Sequence, residues 1–161
     1  CMDELEKGLD ISMSGPERAE ALRAFHVQAE TWGIAMPPAE PLVLDFGLGD
    51  FTKTGLIEYW IANDIEAGYC GKYLFVFDGQ TCPEHRHRVK HETFFILKGR
   101  VRMFFSGKEL IMDQGDVLPV PSEKPHSFTG LGPALLLELS TPCEIEDNYF
   151  TNRRIPIGGA Q

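Results

Sequence analysis

An all-β sandwich or barrel with a single N-terminal helix is the fold this 161-residue sequence predicts. Three observations predict it. Helical periodicity is confined to residues 14–33. After Pro41 the chain breaks into short apolar or alternating runs separated by turn residues. The composition, with 16 Gly, 11 Pro and 11 Phe, suits many turns and short strands. The length fits one domain with a real core.

In chain order, the helix is predicted to start at Ser14 as N-cap, with Pro16 and Glu17 in its first turn, and to stop at Gly33. Ala19, Leu22, Phe25 (or His26), Ala29 and Trp32 recur at three- to four-residue spacing and give it one apolar face. The segment 36–41 contains Pro37, Pro38 and Pro41 and cannot continue a helix, so it reads as a linker. Strands are then predicted over 42–46, 56–62, 72–77, 93–98, 100–105, 109–112, 117–120, 125–129 and 134–139, with a further one around His85 and His87. Asp78-Gly79, Lys98-Gly99, Ser106-Gly107 and Gly115-Asp116 are among the turns between them. The organisation is thus a helical segment and linker at 1–40, a barrel at 41–142 and a C-terminal extension at 143–161. The last residues, 157–161, are expected to be loose.

Hydrophobic residues make up 43% of the chain and charged residues 24%, the profile of a soluble globular protein. Fifteen Lys and Arg against 24 Asp and Glu leave a formal charge of −9. That balance opposes nucleic-acid binding by phosphate neutralisation and docking on an anionic membrane. No apolar run approaches the ~20 residues that span a bilayer, and residues 1–10 are polar and acidic rather than signal-like. The chain opens on Cys1, which fits a trimmed start better than a lipid-modified one. Four cysteines form no C-x-x-C pair or finger spacing, which predicts a reduced, cytoplasmic protein with Cys70, Cys82 and Cys143 as small buried hydrophobes.

The chemistry-bearing stretch is residues 80–99. His85 and His87 are two apart on a predicted strand, so alternation puts both imidazoles on one face. Glu92 follows His87 by five, an odd offset. A turn or bulge across the polar residues 88–91 would return Glu92 to the interior on the next strand. His126, set after Pro121 and Pro125, starts a strand that can run back beside the first pair. Three imidazoles and a carboxylate converging inside a barrel are a site for a divalent cation of borderline or hard type.

The same residues carry a resemblance. Gly79-x5-His85-x-His87-x4-Glu92-x6-Gly99 resembles the first cupin motif, and Gly115-x5-Pro121 followed by His126 resembles the second. Glu123 stands where that family often has Gly, and Gly130 where it often has Asn. Asp45 to Gly49, Tyr69 to Lys72, Gly79 to His87, Glu138 to Thr141 and Asp147 to Phe150 are similar to the D-lyxose isomerase branch of the cupins, over roughly residues 42–155. The resemblance implies a cupin-type β-barrel (jelly roll), a metal on His85, His87, Glu92 and His126, and aldose–ketose isomerisation of a small sugar. It implies manganese as the metal, with zinc, iron, nickel and cobalt as other occupants the donors accept, and a homodimer as the assembly.

Glu138 is the candidate proton shuttle, because a carboxylate in the otherwise apolar run 134–137 is costly unless it faces a polar cavity. Lys90 is the candidate electrostatic partner, with a surface lysine as the plain alternative. Asp147, Glu84 and Lys72 are reserve candidates. Lys72, Lys90 and Arg88 could also gather as a cationic cluster for a phosphorylated sugar. Arg86 and Arg88 are expected to face outward, His91 to face solvent in its turn, and His26 to be structural. The competing functions are a cupin dioxygenase or oxidase using the same four ligands, and a non-catalytic metal-dependent sugar-binding module.

Overall fold

The computed structural model describes residues 2–160, so Cys1 lies outside them. The elements are α1 (Glu4–Asp10), α2 (Gly15–Trp32), β1 (Leu42–Leu44), β2 (Leu56–Asp64), β3 (Tyr69–Val76), β4 (Thr81–Arg86), β5 (Glu92–Lys98), β6 (Arg100–Phe105), β7 (Lys108–Asp113), β8 (Val117–Val120), β9 (His126–Gly130), β10 (Ala134–Ser140) and β11 (Tyr149–Phe150), with a 3-10 turn at Ile145–Asp147. The strands form a six-stranded sheet in the order β1-β2-β3-β10-β5-β8 and a five-stranded sheet in the order β11-β4-β9-β6-β7. Neighbouring strands pair antiparallel, giving a two-sheet jelly roll.

Where α2 lies over it, the six-stranded sheet is covered on both faces, which explains the nearly continuous apolar runs of its strands there. Leu74, Val76, Ala134 and Leu136 point between the sheets and meet Ile96, Met103 and Phe128. Phe75, Leu135, Ile57 and Tyr59, of opposite parity, point outward under α2. There Phe25 packs against Phe75 at 4.8 Å and Tyr59 at 5.4 Å between ring centroids. The buried helix positions are Ala21, Phe25 and Ala29. Ala19, expected on that face, is exposed. Six residues from Phe25 place it about 120° round the helix, whereas Ala21 at four residues lies within about 40°. His26 is likewise on the exposed side.

Two elements lie outside the predicted set. The helix α1 starts with a reciprocal capping box: Asp3 Oδ1 accepts from the Glu6 amide at 2.8 Å, and a Glu6 carboxylate oxygen accepts from the Asp3 amide at 3.1 Å. Its signature, Asp3-x-x-Glu6, is present in the sequence. Gly8 lets α1 seat on β1, since a Cβ there would stand 2.8 Å from a Leu42 methyl. The second element is β11, which adds the C-terminal segment to the ligand-bearing sheet by pairing Phe150 with His85. Residues 157–159, expected to be loose, are tied down: Ile157 packs on the core and the Gly159 amide donates to Asn148 O at 2.8 Å, while Gln161 lies outside the described residues. Among the described residues, no helix is long and apolar enough to cross a membrane.

Candidate metal centre and its surroundings

The two sheets bring His85, His87, Glu92 and His126 together, with one donor atom from each lying within 4.8 Å of the others. His85 sits on β4 and faces His126, its register partner on β9. The local reason for their convergence differs from a simple bulge within one strand. Residues 88–91 carry the chain from the five-stranded sheet to the six-stranded one, so Glu92 approaches the imidazoles from the opposite wall. A change of sheet removes the parity problem that the five-residue offset poses on a single strand.

The turn is held by Asp147. Its Oδ1 accepts from the Arg88 amide at 2.9 Å and its Oδ2 from the Lys90 amide at 2.9 Å, with the Val89 amide shared between them. Its own carbonyl accepts from His87 Nδ1 at 2.9 Å. Asp147 is therefore a buried clamp on the loop joining two of the four donors. On the far side of the site Glu123, at φ 71°, occupies the left-handed region that glycine favours. Its amide donates to His87 O. At Gly130 a Cβ would lie 2.5 Å from Phe77 O, so an Asn side chain does not fit this backbone.

The hydrogen bonds fix the tautomers. His85, His87 and His126 each set Nδ1 at 2.9 Å from a backbone carbonyl, of Pro83, Asp147 and Lys124 respectively. A carbonyl only accepts, so Nδ1 carries the proton and Nε2 the lone pair. His87 Nε2 then lies 2.7 Å and His126 Nε2 3.2 Å from the same Glu92 oxygen. Lone pairs face an anionic oxygen, and those three buried atoms have no hydrogen-bond partner. Such an arrangement is repulsive until a cation joins it. Neutral imidazole nitrogens with one carboxylate, each imidazole oriented by a carbonyl, fit a divalent ion.

Charge around the cluster points the same way. Lys90, a surface residue on the plain reading, is buried, with Nζ 2.9 Å from Glu138 Oε2 and 3.8 Å from Glu92 Oε1. Burial works against its charge, but Glu138 and Glu92 outweigh it and raise its pKa above the ordinary lysine value. Glu138 is also buried, and its Oε2 accepts from Ser140 Oγ at 2.9 Å. One β-strand over, Lys72 pairs with Glu58 at 3.2 Å. The cavity beside the donors is thus lined by three carboxylates and two ammonium groups, so its own charge is negative before any ion binds. The cationic cluster does not form: Lys72 and Lys90 are each neutralised by a carboxylate, and Arg88 stacks on the exposed side against Tyr149 at 4.2 Å. Arg86 also faces out, towards Tyr149 and Glu123. His91 is exposed beside Ser122, and Glu84 binds the Thr151 hydroxyl.

Glu58 joins the cavity without belonging to any motif. The signal for it in the sequence is parity: residues 56, 58 and 60 share the inward face of β2, and Glu58 is the one charge among them. The three cysteines Cys70, Cys82 and Cys143 are buried and free.

Acid acts on this cluster with a definite sign. Burial, with His126 and His87 close by, holds the His85 imidazole well below its usual 6.5. Burial raises the Glu92 carboxyl, but the Lys90 ammonium beside it acts the other way, and the carboxyl is held well below its usual 4.5. Both folded values are depressed, so each contribution to stability is complete above the unfolded-state value and is lost as pH falls towards the folded one. For His85 the loss starts below about pH 6.5, and for Glu92 below about pH 4.5. In excess chelator, the Tm is expected to fall steadily from pH 7 to pH 4. A Tm that held or rose across that range would contradict a neutral, buried His85.

A convergent nitrogen and carboxylate donor set inside a two-sheet jelly roll defines the cupin class, and the Cupin domain family matches residues 75–140. The sequence is 32% identical over 154 residues to the D-lyxose/D-mannose isomerase of Thermosediminibacter oceani, covering 76% of this chain and 83% of that protein. It is 30% identical over 176 residues to the D-lyxose ketol-isomerase of Cohnella laeviribosi, covering 89% and 94%. The chain belongs to the D-lyxose ketol-isomerase family of cupins. Its fold is similar to that of the Cellulomonas parahominis L-ribose isomerase, with a TM-score of 0.73 at 15% identity over 90% of this chain and 95% of that one.

Proposed function

We propose that this protein is a metal-dependent aldose–ketose isomerase acting on a free sugar of the D-lyxose type. The observation that carries the reading is the buried Glu138–Lys90 pair set directly beside the four-donor cluster, in a chain of this family. His85, His87, Glu92 and His126 would hold the ion, with manganese the metal we favour for this mixed nitrogen–oxygen set. A divalent ion bound there supplies Lewis acidity to a sugar carbonyl and its neighbouring hydroxyl.

The residues of the chain supply the proton chemistry. Aldose-to-ketose conversion moves one proton from C2 to C1 and one from O2 to O1, with no external oxidant or reductant. Glu138 fits the carbon-to-carbon transfer. Its Oε2 is held by Lys90 and Ser140, which leaves Oε1 to accept the C2 proton and return it to C1. The Lys90 ammonium pairs with that carboxylate at 2.9 Å and offers a donor to the sugar oxygen that gains negative charge. Asp147, through the 88–90 turn and the His87 ring, sets the spacing between shuttle and donor cluster. Manganese-loaded protein incubated without oxygen with a panel of aldopentoses and aldohexoses should yield ketoses by chromatography. Failure to convert any of them would overturn the reading, and oxygen consumption with a substrate would replace it with an oxygenase.

The same reading includes a cytoplasmic homodimer. The outward face of β10, β5 and β8 supports pairing: Leu137, Leu139, Phe95, Thr93, Val117 and Pro119 lie there in register without a charge, beyond the reach of α2. Sedimentation that shows a monomer at every concentration would exclude it.

A further inference from the structure

The isomerase reading leaves one buried charged pair unused. Lys72 and Glu58 lie on the inner face of the six-stranded sheet, and both line the cavity that holds the donor cluster as well as the one adjoining it. The register places them. Phe94 on β5, Glu138 on β10, Lys72 on β3 and Trp60 on β2 are successive partners across the sheet. Lys72 is therefore one strand beyond the shuttle and two strands, about 10 Å, beyond the strand that carries Glu92. It stands on the opposite side of Glu138 from that strand.

A purely structural ion pair is a poor use of buried charge, because desolvation cancels much of the attraction. Structural pairs also tend to saturate their donors and acceptors, and this one does not. Glu58 uses a single oxygen, Oε1, for both the Trp60 indole N–H at 3.0 Å and Lys72 Nζ at 3.2 Å. Lys72 adds Cys143 Sγ at 3.4 Å and lies over the Trp60 ring at 4.8 Å from its centroid, so its ammonium has one oxygen acceptor, Glu58 Oε1, among the described residues. Its side chain is 6% exposed. A free carboxylate oxygen and an ammonium with a single oxygen acceptor, side by side in a cavity that runs from the donor cluster, match a hydroxyl that both donates and accepts.

We propose that Glu58 and Lys72 form a distal subsite that binds the hydroxyls at the far end of the sugar chain, with Trp60 as the residue that positions Glu58. This rests on the isomerase reading and adds where the rest of the sugar goes. A sugar with its first two oxygens at the donor cluster extends past Glu138 along the row to Lys72 and Glu58. The pair then sets preference for chain length and for configuration at the distal carbons.

The test is a cycle between enzyme and substrate. Metal-loaded wild type and Glu58→Gln are compared on an aldopentose and on its 5-deoxy and 4-deoxy analogues, with bound metal measured on each sample. In wild type, removing the contacted hydroxyl should raise KM on the order of 10-fold to 100-fold, the usual loss for a hydrogen bond to a charged group. Glu58→Gln should show a similar rise with the full sugar, keep its metal, and respond much less to the deoxy analogue. A double variant, Glu58→Leu with Lys72→Met, keeps side-chain bulk without buried charge and should behave like Glu58→Gln. Wild type indifferent to both deoxy sugars would overturn the subsite while leaving the isomerase reading intact. A fall in kcat with unchanged KM in both variants would also overturn it, making the pair a support for the charge on Glu138. Absence of turnover by wild type on any sugar would instead remove the isomerase reading, and this inference with it.

Discussion

Glu138→Gln is expected to lower isomerase turnover by roughly 10²- to 10⁴-fold, the usual contribution of a positioned acid–base group, while the bound metal stays unchanged. The amide has the shape of the carboxylate and can still accept from Lys90 and Ser140, the two contacts of Glu138 Oε2. It cannot take a proton from carbon. Lys90→Ala should lose less, about 10²-fold, because it removes a stabilising charge rather than the shuttle itself. It also leaves Glu138 buried without its partner at 2.9 Å, so part of the loss should be recovered by Lys90→Arg. Turnover and metal content measured on the same samples make the comparison. Full activity in Glu138→Gln would remove that residue from the mechanism.

Glu92→Gln should behave differently, losing metal first and activity as a consequence. Glu92 supplies the anionic oxygen that both His87 and His126 face at 2.7 and 3.2 Å. An amide oxygen is neutral, and its amino group would aim hydrogens at the same space. Metal affinity should fall by at least the 10- to 100-fold typical of losing an orienting partner. Because the ion binds only the folded chain, the Tm gained on adding metal should shrink with it. Metal content and Tm with and without manganese test this. A variant that keeps full metal occupancy would exclude Glu92 as a ligand.

The features of this site that are legible in the amino-acid sequence share one property: their partners are near along the chain or bound to a turn. His85 and His87 are two apart along one strand and its end, Pro121 and Pro125 precede His126, and Gly79, Gly99 and Gly115 mark the turns that carry the chain from one sheet to the other, so spacing alone points to the four donors. The strand positions are legible too, since burial on both faces of the sheet under α2 leaves apolar runs and turn residues separate them. The capping box that starts α1 is equally local, but a helix of seven residues is too short to show a periodic apolar face.

The remaining features are long-range. In sequence Lys90 reads either as a partner of the site or as a surface lysine, and it is a buried ammonium because β10, 48 residues on, brings Glu138 to it. Asp147 becomes the clamp on residues 88–90 because β11 returns the end of the chain to β4. Glu58 and Lys72 meet because β2 and β3 pair with one particular register, and a slip by one residue between them would put the two on opposite faces of the sheet. Which residue types can bind an ion follows from the chain alone, because ligand chemistry is a property of side chains at short spacing. Which charges neutralise one another inside the barrel follows only from the sheet order, because electrostatic pairing depends on distance through space and the chain reveals only distance along itself.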